Sequence, residues 1–164
     1  MVIAKDGEQD AVSCGSGFDG FIADLRAPSD LMTGCENDTV GKLRLTPKAI
    51  TAKAGKPTHV RLSWRHPRAW RKLREIQLHV RRDGFEVGQI TIRPRSGKTA
   101  AHGAVELVRR GTRLAGNGKT VTARLALRLD DTPAGETLAL DVLAVDTRGR
   151  RQVKPDAGKI RVAK

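Results

Sequence analysis

The chain has 164 residues, 38% of them apolar and only 3% aromatic, with no tyrosine, and a formal net charge of +13. That length suits one ordinary domain plus an appendage, with a modest core built from Val, Leu, Ile and Ala. No stretch approaches the roughly 20 apolar residues of a membrane-spanning helix, and the start, Met1 to Asp6, lacks the apolar run of a secretory signal.

The charge is unevenly placed. Residues 1–40 hold two basic residues, Lys5 and Arg26, against eight acidic ones, whereas residues 41–164 hold 29 basic against 10 acidic. Two compositions side by side predict two modules: an acidic one over residues 1–40 and a basic one over residues 41–164, joined near Asn37–Lys42. The basic module is suited to attract polyanions, although a solvated, Arg-rich strand surface would read the same way.

The acidic module opens on a nine-residue echo. Ile3, Val12 and Phe21 stand nine apart, as do Asp10 and Asp19, and Asp6, Gly15 and Asp24. A fixed short period implies one unit stacked on copies of itself. Here the unit is a Gly/Asp-rich turn followed by a short strand, the pattern of a parallel β-roll. About two and a half units fit residues 3–24. Regularity then fails, Pro28 cannot donate to a ladder, and Leu31-Met32 is expected to cap the open end. Cys14 and Cys35 both lie in this module. An even pair in a segment too small for its own core points to a disulfide closing a loop of about 20 residues, worth roughly 3 kcal/mol; two free thiols are the alternative. Zinc is disfavoured, because there is no C-x-x-C and no histidine nearby in sequence.

Calcium prefers hard oxygen ligands, and glycine lets a turn fold back so that carbonyls converge. Asp6, Asp10, Asp19 and Asp24 supply carboxylates here, and Gly15 and Gly17 supply the bend. The run Cys14-Gly15-Ser16-Gly17-Phe18-Asp19-Gly20-Phe21-Ile22 resembles the nonapeptide of the hemolysin-type calcium-binding repeat family, G-G-x-G-x-D-x-U-x, with Cys14 in place of the first glycine. Lys5–Ser13 is a degenerate copy that keeps Asp10 and Val12. Residues 2–36 together resemble the terminal, disulfide-closed repeats of exported bacterial proteins of this family. The resemblance implies a right-handed parallel β-roll, secretion, and calcium held between turns on the same side. In that match Asp19 is the ligand aspartate, Gly15 and Gly17 are carbonyl donors, and Asp10 is the preceding ligand.

From Lys42 onward the chain reads as seven to nine short strands with turn signals between them. Val60, Leu62 and Trp64 alternate; so do Ile76, Leu78 and Val80; Asp83-Gly84 is a hairpin turn before Val87, Ile90 and Ile92, with Gly88 marking a bulge. Arg93–Gly103 reads as a polar loop, Ala104–Val108 as a strand and Gly111–Lys119 as an irregular turn. Val121, Ala123, Leu125, Leu127 and Leu129 then share one face; Leu138–Val145 runs back, Arg148-Gly149-Arg150 turns, and Lys159–Val162 closes the list. Only Trp64–Val80 could compete as a helix, and Pro67 argues against it. The fold class expected is therefore all-β: a short β-roll remnant followed by an antiparallel β-sandwich, which resembles the immunoglobulin-like or fibronectin-like modules of bacterial surface proteins.

Chemistry is sparse in the basic module. Gly116-Asn117-Gly118-Lys119-Thr120 ends like a phosphate-binding loop without its full spacing and reads as a turn. Asp130-Asp131 reads as a polar hairpin turn, and no nucleophile elbow is present. Trp64, Arg65, Arg68, Trp70, Arg71 and Arg74 form a basic-aromatic patch that could stack on a sugar or polyanion, unless Trp64 belongs to the core. The function expected is a non-enzymatic structural or adhesive module of an exported bacterial protein, secreted or at the cell surface, with calcium as the cofactor ordering its acidic segment. The chain is expected to be the C-terminal end of a longer parent. Its partners are then a cell-surface or wall polymer, or other domains of that parent, with nucleic acid disfavoured. A polyanion- or carbohydrate-binding sandwich using the basic-aromatic patch is the alternative.

Overall fold

A computed structural model describes residues 2–4, 11–13, 21–23, 31–33, 40–129 and 132–163. The residues expected to hold calcium (Asp6, Asp10, Gly15, Gly17, Asp19 and Asp24), the pair Cys14 and Cys35, and Asp130-Asp131 lie outside the described residues. By its contacts the chain divides into two units, Met1–Asp38 and Thr39–Lys164.

In the first unit four three-residue strands follow one another: β1 (Val2–Ala4), β2 (Ala11–Ser13), β3 (Phe21–Ala23) and β4 (Leu31–Thr33). They pair alternately and in parallel, β1 with β3 and β2 with β4. Parallel strands cannot be joined by a tight hairpin, so interleaved ladders of this kind are the backbone pattern of a coil that lays successive strands on two sheets. Leu31-Met32, expected at the open end, form part of a fourth strand that satisfies the ladder groups of β2. Ile3 stands opposite Ile22, since the strand starts are spaced by nine and then ten residues.

The second unit is an antiparallel sandwich. Its strands are β5 (Lys42–Thr46), β6 (Ala49–Ala52), β7 (Thr58–Arg65), β8 (Leu73–Arg82), β9 (Phe85–Arg93), β10 (Lys98–Gly103), β11 (Val105–Leu107), β12 (Arg113–Asn117), β13 (Thr120–Leu129), β14 (Thr137–Asp146) and β15 (Arg151–Val162). One sheet runs β10-β9-β8-β14-β15-β6. The other runs β11-β13-β7-β5, with β12 also on β13. The first strand of the unit is split: β5 joins β7 in one sheet, the chain kinks at Pro47, and β6 joins β15 in the other, in parallel. With β9 and β10 extending the β8-β14-β15 sheet, this is the variable-type immunoglobulin arrangement.

The alternating positions form the core. Val60, Leu62 and Trp64 of β7 and Val121, Ala123, Leu125, Leu127 and Leu129 of β13 pack with Ile76, Leu78 and Val80 of β8, Ile90 and Ile92 of β9, and Leu140 and Val142 of β14. The Asp83-Gly84 turn has both residues at positive φ, 49° and 86°, between the paired Arg82 and Phe85. That is the two-residue primed turn whose twist matches its strands. Just beyond this turn the register slips by one residue, Arg81 standing opposite Glu86 and Val80 opposite Gly88. The helical rival shrinks to one 3-10 turn, Trp70–Lys72.

Three features depart from the periodicity. Lys98–Gly103, read as loop, is an edge strand on β9, and Arg113–Asn117, read as an irregular turn, pairs with β13. Both are short, polar edge strands whose ladder partner, not their own pattern, makes them strands. Strand β14 lies inside the six-stranded sheet and is buried on both sides, so that Asp141, Leu143, Val145 and Asp146 are as enclosed as Leu140 and Val142. Asp141 there accepts the Asp156 N–H at 2.8 Å and pairs with Arg81, closing the bulge where β15 departs from β14.

Gly103 and Gly88 pair directly across β10 and β9. Gly103 has φ +77°, and a Cβ built on it would stand 2.4 Å from the Val87 carbonyl oxygen. Gly103→Ala is expected to lose about 2 kcal/mol, from the left-handed conformation and the backbone clash together. A fall in the urea midpoint at unchanged slope checks this.

Candidate polyanion-binding end of the sandwich

Strand β7 carries its alternation to Arg65 and stops at His66-Pro67. The chain between β7 and β8 is then held by backbone bonds to the β12–β13 turn: the His66 N–H donates to the Lys119 carbonyl at 2.9 Å and the Trp70 N–H to the Gly118 carbonyl at 3.2 Å. The Thr147 N–H donates to the Lys72 carbonyl at 2.8 Å, tying in the β14–β15 turn. Three loops far apart in sequence thus meet at one end of the sandwich.

At their junction His66 and Asp146 are both 2% exposed. His66 Nδ1 accepts the Arg68 N–H at 3.1 Å, which places the proton of the neutral ring on Nε2, 3.9 Å from Asp146 Oδ2. Burial holds the His66 pKa below its ordinary value; Asp146 opposes that shift, and Arg150 and Arg68 add to it. Asp146 shapes the turn after β14. Its Oδ1 accepts the Arg148 N–H at 2.8 Å and the Arg150 N–H at 3.0 Å, and its Oδ2 accepts Arg150 Nε at 2.9 Å. Burial alone would raise the Asp146 pKa; the Arg150 guanidinium and the two backbone N–H groups outweigh it and hold the carboxyl below the usual range.

With Asp146 committed to Arg150, the rest of this end is cationic. Arg65, Arg68, Arg71, Lys72, Lys119 and Arg148 are exposed, and their side chains have no carboxylate partner among the described residues. A concavity of about 140 Å³ is lined by His66, Arg68, Lys72, Asp146, Arg148 and Arg150, among others. Such a surface can attract and position an anionic group; its buried acid and histidine serve the loop framework.

The residues of the basic-aromatic patch read from the sequence are placed differently from one another. Arg65, Arg68, Arg71 and Arg74 are exposed. Trp64 is not available: it points into the core and is completely buried, because it holds the inward register of β7. Trp70 is half-buried and packs on the backbone of β12. A Cβ on Gly116 would stand 2.4 Å from its ring, and the Arg71 guanidinium lies 4.7 Å from its centroid. The ring is therefore engaged by Gly116 and Arg71 of this chain itself. Sequence reading missed Lys72, Lys119 and Arg148 as members of the patch. Only the fold brings the Gly118-Lys119 turn and the β14–β15 turn beside Arg68. Elsewhere His79 is buried and bonded to Gln77 and Glu86 on the polar face of its strand. Among the described residues no group of three or more His, Cys, Asp or Glu could hold a metal ion, and no helix is long and apolar enough to cross a membrane.

No family model matches the chain, and no curated protein matches it. Solved structures do. One is a chain from the structural study of T cell specificity and activation by the bacterial superantigen toxic shock syndrome toxin-1; the match covers 74% of this chain and 98% of that one, at 8% identity and a TM-score of 0.45. Another is murine CRIg, covering 76% of this chain and 100% of that one at 10% identity and a TM-score of 0.41. At these values function has to be read from this chain's own residues.

Proposed function

We propose that the chain is a non-enzymatic adhesive module of an exported bacterial protein whose basic loop end holds an anionic polymer of a cell surface or wall. One observation carries this reading. Six exposed cations, Arg65 from the end of β7 and Arg68, Arg71, Lys72, Lys119 and Arg148 from three separate loops, stand at one end of the sandwich, and the acid buried among them is already neutralised by Arg150. Grouping them costs self-repulsion that an anion relieves. The titratable groups that could serve catalysis at this end, His66 and Asp146, are committed to backbone N–H groups and Arg150, which favours a binding role over a reaction.

The test is binding to heparin across a salt series. The parent is expected to bind with a steep negative dependence on salt. Arg68→Ser/Arg71→Ser/Arg148→Ser is expected to lower that slope by about 2 to 3, roughly one per phosphate- or sulfate-facing cation removed. An unchanged slope would sink the proposal.

A second reading concerns the first unit. Its interleaved parallel ladders and its eight acidic residues support a calcium-ordered, disulfide-closed cap, with calcium offsetting the repulsion among carboxylates. Calorimetry in calcium against EDTA is expected to show a higher melting temperature with calcium, because a ligand bound only by the folded form stabilises it. Equal melting temperatures would remove calcium from the account.

A further inference from the structure

The sandwich carries a second cationic surface, built on the strands of the five-stranded sheet and meeting the loop end at Arg65. On the outer face of the five-stranded sheet the ladder places Arg113 directly opposite Arg124, Arg124 directly opposite Arg61, and Arg61 opposite Thr46. Neighbouring strands stand about 4.8 Å apart, so three guanidinium-bearing residues cross the sheet within about 10 Å. Like charges directly opposite each other destabilise a sheet, and here that arrangement occurs twice in succession. All three arginines are exposed, and none has a carboxylate partner among the described residues.

Two further rows extend the face toward the loop end, each about 6.8 Å along the strands from the last. One aligns Arg44, Ser63 and Thr122; the next aligns Lys42, Arg65 and Thr120. The three rows hold cations and hydroxyls and no acid. The opposite sheet shows the contrast: Glu75 pairs with Arg93, Glu86 with His79, and Asp141 and Asp156 with Arg81. On the five-stranded sheet Glu106 pairs with Arg128, outside the three rows. The arginine row is also not flat. Arg61, Arg113 and Arg124 line an open trough of about 570 Å³ together with Thr46 and His59.

We propose that this face binds a linear, base-free polyanion through its phosphate or sulfate groups, independently of the loop end. Guanidinium forks match tetrahedral oxyanions in bidentate fashion, which favours phosphate or sulfate over isolated carboxylates. A row about 10 Å wide, repeated along the strands, exceeds the reach of one small anion and suits a chain of them. Nucleic acid is disfavoured because single strands are held largely by base stacking on aromatic rings, and none of the three rows contains an aromatic residue.

The experiment replaces the row by Arg61→Gln/Arg113→Gln/Arg124→Gln and measures binding of long-chain polyphosphate, heparin and oligo-thymidylate at one fixed salt concentration, with inorganic phosphate as the monomeric probe. Removing mutually opposed like charges is expected to leave the melting temperature unchanged or raised, so that weaker binding is not a folding defect. Affinity for polyphosphate or heparin is expected to fall about tenfold or more, and Arg61→Lys/Arg113→Lys/Arg124→Lys is expected to recover part of it. Preference for polyphosphate assigns phosphate groups as the ligand chemistry; preference for heparin assigns sulfate. If the Gln variant binds like the parent while the loop-end variant is impaired, the sheet-face site falls and the loop-end reading stands. Parental binding by both variants overturns both. Binding of inorganic phosphate with no gain from chain length overturns the polymer assignment, and equal binding of oligo-thymidylate overturns the base-free one.

Discussion

Asp146→Ala is expected to destabilise the sandwich by about 3 kcal/mol and to weaken polyanion binding at the loop end together with it. The carboxylate is 2% exposed, and its removal leaves the Arg148 and Arg150 N–H groups of the β14–β15 turn without their acceptor. It also leaves the partly buried Arg150 guanidinium without its counter-charge. Breaking a buried pair from one side costs about 3–5 kcal/mol; the partial exposure of Arg150 puts this case at the lower end. Asp146→Asn keeps an acceptor for the backbone and is expected to lose roughly half as much. Urea unfolding followed by circular dichroism measures both, and an alanine variant within about 0.5 kcal/mol of the parent would contradict the role given to this carboxylate.

The same pair fixes the direction of the acid response. His66 is held below its ordinary pKa of 6.5, first by burial. Below pH 6.5 the unfolded chain therefore binds a proton that the folded chain resists, and stability falls as the pH drops. Asp146 is held below its ordinary 3.8, so its contribution is present above that value and is lost as the pH falls through the folded pKa. Removing Asp146 takes away the one nearby charge that favours protonated His66. The loss of stability just below pH 6.5 is then expected to grow, while the loss below pH 3.8 shrinks.

Trp64→Ala is expected to cost about 3–5 kcal/mol, the range for emptying a large buried aromatic site. Trp64 lies between β5 and β13 on β7, paired with Leu43 and Val121, with no exposed surface. Trp64→Phe is expected to cost far less than its loss of volume suggests, about 1 kcal/mol. The indole Nε1 is buried with no hydrogen-bond partner, and a Cβ on Gly41 would stand 2.7 Å from it. Phenylalanine removes an unsatisfied donor along with part of the ring. Heparin binding by Trp64→Phe is expected to match the parent at equal salt. A clear loss there, with stability retained, would return this tryptophan to the binding surface and contradict its place in the core.

How legible the fold was depended on whether a pattern was local. Val121 through Leu129 and Ile76 through Val80 alternate with period two, and their faces were readable because burying one side of a pleated strand demands that pattern. The Asp83-Gly84 turn was readable because it needs positive φ at both positions. Lys98–Gly103 and Arg113–Asn117 were not, because an edge strand with few apolar residues is made by its neighbour's open ladder groups. Asp141 could not be distinguished from a residue on a solvated face either; its burial belongs to the place of β14 within the sheet.

The candidate sites divide along the same line. Charge segregation, the short N-terminal period, the all-β class and the exposed arginines near Pro67 follow from composition and spacing, quantities that need no third dimension. Which cations stand together does not. Arg68 meets Lys119 and Arg148, and Arg61 meets Arg113 and Arg124, only through strand register and Greek-key connections between segments dozens of residues apart. Electrostatic attraction falls off over about 8–10 Å in physiological salt. Residue type therefore sets the sign of the charge that this chain presents, and tertiary structure decides where that charge is dense enough to hold a partner.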